Sequence, residues 1–310
     1  MNEFQLIARL TQGLPANPAV VVGPGDDCAV LDLGVPGRQF LLKTDAVVEG
    51  VHFTGATPPE KIGRKALARA LSDLAAMAGT PIAAVVTLAL PPKFDPDWVA
   101  TVYDGMNALA RTHGVAIVGG ETTTNPGGRL ISIALLGWAT PGQIPLRSGA
   151  QVGDAIFVTG TLGGSIDGKH LDFEPRLAEG RWLAAHFAPH AMIDVSDGLA
   201  GDLRQLLNGA GVGAALRKPS IPVSAAAKAR ARAGTNAKPA LLAALTDGED
   251  FELLFTVAAG DAVKLVDGWK QPFPHTKLSC IGKIVAGTGI TLNDANGSQK
   301  FNGDGYIHFA

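Results

Sequence analysis

The sequence has few cysteines and no excess of one charge. Its 310 residues include two cysteines, Cys28 and Cys280, which lie far apart and form no CxxC pair. We therefore expect neither a disulfide framework nor a zinc site. Basic and acidic side chains nearly balance, 26 against 28, so the formal charge is −2. A balanced chain gives no electrostatic reason to expect a nucleic-acid partner.

Long apolar runs and targeting signals are also missing. No uninterrupted apolar stretch approaches the ~20 residues that would cross a bilayer. The first residues, MNEFQLIARL, have no basic segment ahead of an apolar one. We therefore expect no membrane association and a cytoplasmic location. The hydrolase motif G-x-S-x-G does not occur, and His52 and His113 have no histidine partner at metal-ligand spacing.

The alternation of elements predicts an α/β protein in two halves, as a chain of this length favours. The predicted strands are 39–48, 82–90, 115–120, 130–139, 155–160, 191–196, 251–259 and 278–285. The predicted helices are 4–12, 61–79, 96–113 and 198–211, with another after a turn within 219–234. The turn-rich stretch 140–154 is typical of a linker. We expect an N-terminal domain over residues 1–140 and a C-terminal α/β domain over 141–310.

Acidic residues collect beside apolar strands, mostly at strand ends or next to glycine. They are Asp26, Asp27, Asp45, Asp73, Glu121, Asp194, Asp197, Glu249 and Asp250. Removing a carboxylate from water costs several kcal/mol unless a positive charge pairs with it, and few lysines or arginines lie in the same segments. A divalent metal would supply that charge, and oxygen ligands favour Mg²⁺ over Zn²⁺.

Most of these acidic residues also have a purely structural explanation. The pairs 26–27 and 249–250 could belong to turns, and Asp45 could be an exposed residue at a strand end. Ser196 or Asp197 could cap the helix that follows. From each residue alone, the functional and structural interpretations both stay open.

Two further patterns have structural explanations. Asp73 follows Lys65 and Arg69 at intervals of four, so these side chains could form a solvated ion-pair face on a helix. The segment GGSIDGKH (163–170) nearly matches a phosphate-binding loop, but His170 stands where that loop needs a hydroxyl. We expect no nucleotide loop there.

Eight motifs occur in an order that resembles the thiamine-monophosphate kinase family. They are GDDCAVL, KTDAVVEGVHF, ALSDLAAMAGTP, GGETT, LRSGA, IDVSDGLAGDL, GEDFELLFT and GYIHF. The resemblance covers nearly the whole chain. It implies an α/β protein with two domains (α+β), folded like aminoimidazole ribonucleotide synthetase. It implies an N-terminal mixed sheet with helices that dimerises, giving a homodimer. It also implies direct in-line transfer of the ATP γ-phosphoryl group to thiamine monophosphate, assisted by several Mg²⁺ ions.

The resemblance also implies roles for individual residues, none of them a covalent nucleophile. The implied metal ligands are Asp27, Thr44, Asp45, Asp73, Glu121, Asp194 and Asp197. The implied ATP contacts are Gly120, Glu121, Arg147 and Ser196. The implied acceptor contacts are His52, Glu249 and an aromatic residue that stacks on the thiamine ring. Phe301 and Tyr306 are rival candidates for that aromatic residue, since an alignment without a gap would place Gly303 there.

Two residues depart from the family pattern. Lys43 stands where the family usually has a serine that helps to bind one metal ion. A protonated lysine cannot ligate magnesium. It could replace one ion with its own charge, or it could touch a phosphate. Glu121 stands where aspartate is usual. The number of metal ions is therefore open, and so are two alternatives: a related ATP-using synthetase with another acceptor, and an inactive protein that binds ATP or thiamine phosphate.

Overall fold

The structure is a computed structural model that describes residues 3–234, 237–303 and 305–306. The helices are α1 (Glu3–Thr11), α2 (Pro59–Ala76), α3 (Pro96–His113), α4 (Lys169–Asp172), α5 (Leu177–His186), α6 (Leu199–Ala210), α7 (Ala225–Arg232), α8 (Ala240–Thr246) and α9 (Ala262–Trp269). The strands of the first half are β1 (Val20–Val22), β2 (Ala29–Leu31), β3 (Gln39–Val48), β4 (Thr80–Leu90), β5 (Ala116–Thr124) and β6 (Leu130–Ala139). Those of the second half are β7 (Ala155–Thr159), β8 (Ala191–Asp194), β9 (Gly213–Arg217), β10 (Leu253–Val257), β11 (Leu278–Val285), β12 (Gly289–Asp294) and β13 (Gly297–Phe301).

The strands form two mixed sheets, one in each half of the chain. The first has the order β1-β2-β3-β6-β4-β5 and the second the order β13-β12-β9-β11-β7-β10-β8. Each contains one parallel pair, β4–β5 in the first and β9–β12 in the second. The predicted fold class, α/β with a mixed N-terminal sheet, is confirmed. The division into domains at residues 1–140 and 141–310 stays a prediction.

The second sheet is covered on both faces, which is why every residue of β7 is buried. Alternate residues of a strand point to opposite faces, and Phe157 packs into one apolar core while Ile156 packs into another. The first core continues to α2 and the first sheet, and the second lies under α6 and α8. Strands β1, β2, β9, β12 and β13 and helices α4, α5, α8 and α9 were not predicted from the sequence, and each spans ten residues or fewer.

Helix α2 lies at the centre of the molecule and contacts both halves. It packs against β3, β6 and α3 on one side and against α5 and β8 on the other. Apolar residues therefore occupy nearly every side of the central part of α2, and two of its charged residues are buried. Lys65 is 1% exposed and Asp73 is 7% exposed. The alternative of a solvated ion-pair face for these residues is wrong.

The ends of α2 and α3 show how local sequence fixes the helices. Asp95 accepts a hydrogen bond from the backbone N–H of Asp97 at 2.9 Å, and Gly114 adopts the left-handed conformation, φ 69°, that closes α3. The predicted range of this helix, 96–113, is confirmed. Helix α2 ends at Ala76 rather than at the predicted Gly79. A Cβ on Gly79 would lie 2.6 Å from the Leu74 side chain, so this glycine allows close packing.

Across residues 3–234, 237–303 and 305–306, every helix is too short or too polar to cross a bilayer.

Candidate active site

Three buried aspartates from distant parts of the sequence converge between the two halves. Asp27 precedes β2, Asp73 lies on α2, and Asp194 ends β8. One carboxylate oxygen from each lies within 4.8 Å of the others. Their exposures are 1%, 7% and 3%, respectively. We call Asp27, Asp73 and Asp194 the carboxylate cluster.

Two cations reach the carboxylate cluster from other segments of the chain. Lys43, on β3, places Nζ 2.8 Å from Asp73 Oδ1. Arg147, within the predicted linker, forms an ion pair with Asp27. The sequence analysis named Lys43 as a possible replacement for one ion and Arg147 as an ATP contact, but it did not predict their pairing with Asp73 and Asp27. Three carboxylates still face two cations, so one negative charge remains uncompensated when all three are ionised.

The carboxylate cluster is electrostatically suited to a further cation. Burial, with the charge of Asp27 second, raises the pKa of Asp194 to about 7. Burial also raises the pKa of Asp73 well above its ordinary value. The buried Asp27 Oδ2 has no hydrogen-bond partner among the described residues. An unsatisfied buried carboxylate oxygen and an all-oxygen donor set fit a hard divalent cation such as Mg²⁺.

Asp45 and Thr44 occupy opposite faces of β3. Asp45 lies within the strand rather than at an exposed end, and its Oδ2 accepts a hydrogen bond from Arg69 Nε at 3.0 Å. Since side chains alternate along a strand, Thr44 faces away from α2. Its Oγ1 lies 3.3 Å from Ser132 Oγ on β6. Asp45 therefore lies on the α2 side with Lys43, whereas Thr44 lies on the far face of the sheet.

Gly120 and Glu121 lie on β5, at the edge of the first sheet. Across the sheet, Glu121 of β5 pairs with Thr87 of β4, and Thr87 pairs with Ser132 of β6. Ser132 in turn pairs with Ala46 of β3. Glu121 is therefore three strands from β3, about 14 Å at the usual strand spacing. Within one chain it is remote from Asp45. A Cβ at Gly120 would lie 1.8 Å from the Val86 carbonyl oxygen, so this position requires glycine.

Ser196 and Asp197 follow β8 directly and lie beside a cavity. Neither one is the N-cap of α6, because that position is occupied by Gly198. The backbone N–H of Asp197 instead donates to Asp202 Oδ2 at 3.0 Å. Asp202 is 3% exposed, and burial raises its pKa well above the ordinary value. The sequence analysis did not single out Asp202.

The cavity beside these residues has a volume of about 370 Å³ and we call it the Glu249 cavity. The predicted residues that line it are Ser196, Asp197, His52, Glu249 and Tyr306. Phe301 lies on β13 and is not among the described residues that line the cavity. Tyr306 is held at the cavity by its backbone N–H, which donates to the Asp197 carbonyl oxygen at 2.8 Å.

Glu249 is held by buried cations that the sequence analysis missed. Lys65 Nζ lies 2.6 Å from Glu249 Oε2, and Arg69 Nη1 lies 3.7 Å from Oε1. His170 Nδ1 is 2.9 Å from Oε2. Burial opposes ionisation of Glu249, but the contact with His170 and the charge of Lys65 outweigh it and lower the pKa to about 2. Glu249 therefore carries a negative charge at neutral pH.

Arg69 joins the Glu249 cavity to Asp45, which lies on the same face of β3 as Lys43, the partner of Asp73. It pairs with Asp45 on one side and Glu249 on the other, and its guanidinium lies 5.9 Å from the centre of the Phe251 ring. Glu249 itself has a left-handed backbone, φ 64°, which is costly for a residue with a side chain and occurs chiefly at functional sites. Helix α2 therefore carries residues of both sites: Asp73 belongs to the carboxylate cluster, and Arg69 lines the Glu249 cavity.

The near-match to a phosphate-binding loop has a structural role. Lys169 Nζ lies 2.9 Å from the buried Glu252 Oε1 and donates to the Thr161 carbonyl oxygen at 3.0 Å. The backbone N–H of Gly163 donates to Asp250 Oδ2 at 2.8 Å. The lysine and a loop amide therefore satisfy buried carboxylates of the chain itself.

Comparison with known proteins agrees with this geometry. The family model described as AIR synthase related protein, N-terminal domain, matches residues 25–139. A thiamine-monophosphate kinase from Rhodopirellula baltica is 40% identical over 94% of this chain and 92% of its own length. The chain belongs to the thiamine-monophosphate kinase family. The member of this family from Bacillus subtilis is 34% identical over the full length of both proteins.

A solved structure supports the same family assignment. The structure described as AaThiL complexed with AMPPCP and TMP has a TM-score of 0.83 and 27% sequence identity, and the match covers 99% of this chain and 97% of that one. The family resemblance predicted from the eight motifs is therefore confirmed, and so are the kinase class and the fold. The roles of individual site residues stay predictions.

Proposed function

We propose that this chain transfers the γ-phosphoryl group of ATP to thiamine monophosphate, forming thiamine diphosphate and ADP by direct in-line transfer. The observation that carries the proposal is that α2 holds Asp73 of the carboxylate cluster and Arg69 of the Glu249 cavity four residues apart. It provides one site for metal-bound phosphates and an adjacent site for an organic acceptor. A relative that shares the fold was solved with AMPPCP and TMP together.

The carboxylate cluster is where we place the metal ions. Bound Mg²⁺ would neutralise the phosphates of both reactants, whose mutual repulsion opposes their approach. Asp27, Asp73 and Asp194 would hold it, with Asp45 and Asp197 as further ligands. Arg147 lies against Asp27 and can contact an ATP phosphate from there. The acceptor phosphate is already ionised at neutral pH, so the reaction needs positioning and charge neutralisation rather than a strong base.

The Glu249 cavity is where we place the thiamine moiety. Thiamine has a cationic thiazolium ring and an aminopyrimidine ring, and the ionised Glu249 carboxylate is suited to either positive charge or an N–H donor. Tyr306 offers an aromatic face at the same cavity. His52 lines this wall, and its Nδ1 accepts a hydrogen bond from the Val48 N–H at 3.1 Å. We assign the stacking role to Tyr306 rather than to Phe301.

Completion of the ATP site by a second copy is part of the proposal. Thr44, Gly120 and Glu121 lie on or beside the face of the first sheet that α2 does not cover. That face exposes apolar side chains, with Leu42 at 45%, Val85 at 41% and Val118 at 65%. A homodimer would bury them. It would also place Gly120 and Glu121 at the interface, and Gly120, Ser196 and Arg147 would contact ATP.

One assay tests the proposed function. The purified chain is incubated with ATP, Mg²⁺ and thiamine monophosphate, and the products are separated by chromatography. Thiamine diphosphate formed in equal amount with ADP is the expected result. Consumption of ATP only with another acceptor would support a related synthetase. Binding of both ligands without turnover would support an inactive binding protein. The cytoplasmic location stays a prediction.

A further inference from the structure

Lys43 places a fixed positive charge inside the carboxylate cluster. Its Nζ lies 2.8 Å from Asp73 Oδ1, and the two side chains are 23% and 10% exposed. Lys43 and Asp45 lie on the same face of β3, as the period of two requires, and both point toward α2. The ammonium group therefore reaches Asp73 from a rigid strand rather than from a loop.

This ammonium group and a metal ion compete for the same oxygen. Asp73 has two carboxylate oxygens, and Lys43 takes Oδ1. A magnesium ion bound to that oxygen at about 2.1 Å would stand close to the ammonium group, and the two like charges would repel each other. An ammonium group has no lone pair to offer as a ligand. While Lys43 keeps this contact, that repulsion makes Asp73 Oδ1 a poorer metal ligand than Oδ2.

The charge of Lys43 also removes part of the need for a divalent ion. Together with Arg147 at Asp27, it leaves the carboxylate cluster with one uncompensated negative charge when all three aspartates are ionised. A serine at this position would leave two. A chain with lysine there needs one positive charge fewer to neutralise the same carboxylates.

We propose that the Lys43 ammonium group takes the place of one divalent cation at Asp73. This inference deepens the proposed function and rests on it for the identity of the metal. This chain therefore binds one divalent ion fewer than its own Lys43→Ser variant binds under the same conditions.

Counting bound Mn²⁺ tests the inference without any turnover. Mn²⁺ replaces Mg²⁺ and is titrated into the chain with saturating AMPPCP, and free Mn²⁺ is followed by electron paramagnetic resonance. The wild type, K43S and K43M are compared. Both variants should bind one more Mn²⁺ per chain, because each frees Asp73 Oδ1. Equal or lower numbers in the variants would overturn the inference. Weaker AMPPCP binding with an unchanged metal number would instead place Lys43 on a phosphate.

Lys218 provides a matched control. Its Nζ also lies 2.8 Å from a carboxylate, Asp294 Oδ2, and its side chain is 25% exposed, close to the value for Lys43. The pair lies in the C-terminal half, outside the carboxylate cluster. The K218S variant should bind the same number of Mn²⁺ ions as the wild type.

A measurement on the wild type covers the case in which the variants fail to fold. Lysine acetylation is mapped by peptide mass spectrometry with and without Mg²⁺. If Lys43 holds Asp73 in the metal-bound protein, Mg²⁺ leaves its reactivity unchanged. A several-fold rise at Lys43 but not at Lys218 would mean that the metal displaces the ammonium group, and would overturn the inference. Failure to make thiamine diphosphate would count against the proposed function. The Mn²⁺ titration and the acetylation measurement would still test the inference about Lys43.

Discussion

Lys65 provides the sharpest test of how Glu249 is held. Lys65 is 1% exposed, and its ammonium group contacts Glu249 at 2.6 Å, the His52 carbonyl oxygen at 2.7 Å and His170 at 2.8 Å. Lys65→Met keeps much of the side-chain volume and removes the charge. Breaking a buried ion pair costs about 3–5 kcal/mol because the remaining charge is left unpaired. Glu249 keeps its contacts with Arg69 and His170. We therefore expect Lys65→Met to lower the free energy of unfolding by about 3 kcal/mol, the lower end of that range.

A double-mutant cycle separates this pairing from the loss of packing. Glu249→Gln removes the charge that Lys65→Met leaves behind, so the double variant should lose less stability than the two single variants added together. We expect a coupling of at least about 1.5 kcal/mol in the free energy of unfolding from urea titration. The pair Lys218 and Asp294, which is more exposed than Lys65 and Glu249 taken together, serves as the control and should show a smaller coupling. Additivity of Lys65→Met and Glu249→Gln within about 0.5 kcal/mol would refute the reasoning.

Three further predictions concern the carboxylate cluster and the Glu249 cavity. Asp73→Asn should lower kcat about 100-fold or more and reduce the rise in melting temperature on adding Mg²⁺; an unchanged Mg²⁺ effect would contradict the metal role. Burial, and then the charge of Arg69, lower the pKa of His52 to about 4. Between pH 4 and about 6.5, His52 binds more protons in the unfolded chain than in the folded chain. The free energy of unfolding therefore rises with pH in this range and levels off above it. His52→Gln should flatten that rise in urea titrations; an identical slope would contradict the burial argument. Tyr306→Ala should raise KM for thiamine monophosphate about 10-fold and leave KM for ATP unchanged; a larger effect from Phe301→Ala would reverse the assignment.

Sequence order predicted the carboxylate cluster well but did not predict its cations. Asp27, Asp73 and Asp194 each lie in a recognisable motif, and the motifs recur in a fixed order. The pairing of Lys43 with Asp73 depends on which face of β3 packs against α2. That information lies in the tertiary contacts rather than in either segment.

Helix α2 gave a signal that the sequence analysis interpreted wrongly. The spacing of Lys65, Arg69 and Asp73 was seen as one stripe, and solvent exposure was the structural alternative considered. The rest of the helix is rich in alanine and leucine on nearly every side. A helix that is apolar all round is buried, so its charged stripe must find partners inside the protein. Glu249 and Asp45 are such partners, and both lie outside α2.

Glu121 and Thr44 show what strand order adds to sequence. Their motifs predicted metal ligands, yet β6 and β4 separate β3 from β5 in the sheet. The order of strands in a mixed sheet depends on crossover connections that local patterns do not specify. The remoteness of Glu121 from Asp45 within one chain could therefore be learned only from the structure.

Crystallography with Mn²⁺, AMPPCP and thiamine monophosphate tests the central claim most directly. Anomalous scattering would locate each Mn²⁺ ion without assumption about its ligands. We expect Mn²⁺ bound by Asp27, Asp73 and Asp194, with nucleotide phosphates on one side and the acceptor phosphate, reaching from the Glu249 cavity, on the other. Mn²⁺ found only at other carboxylates, or both ligands bound with no ion at these three aspartates, would contradict the account.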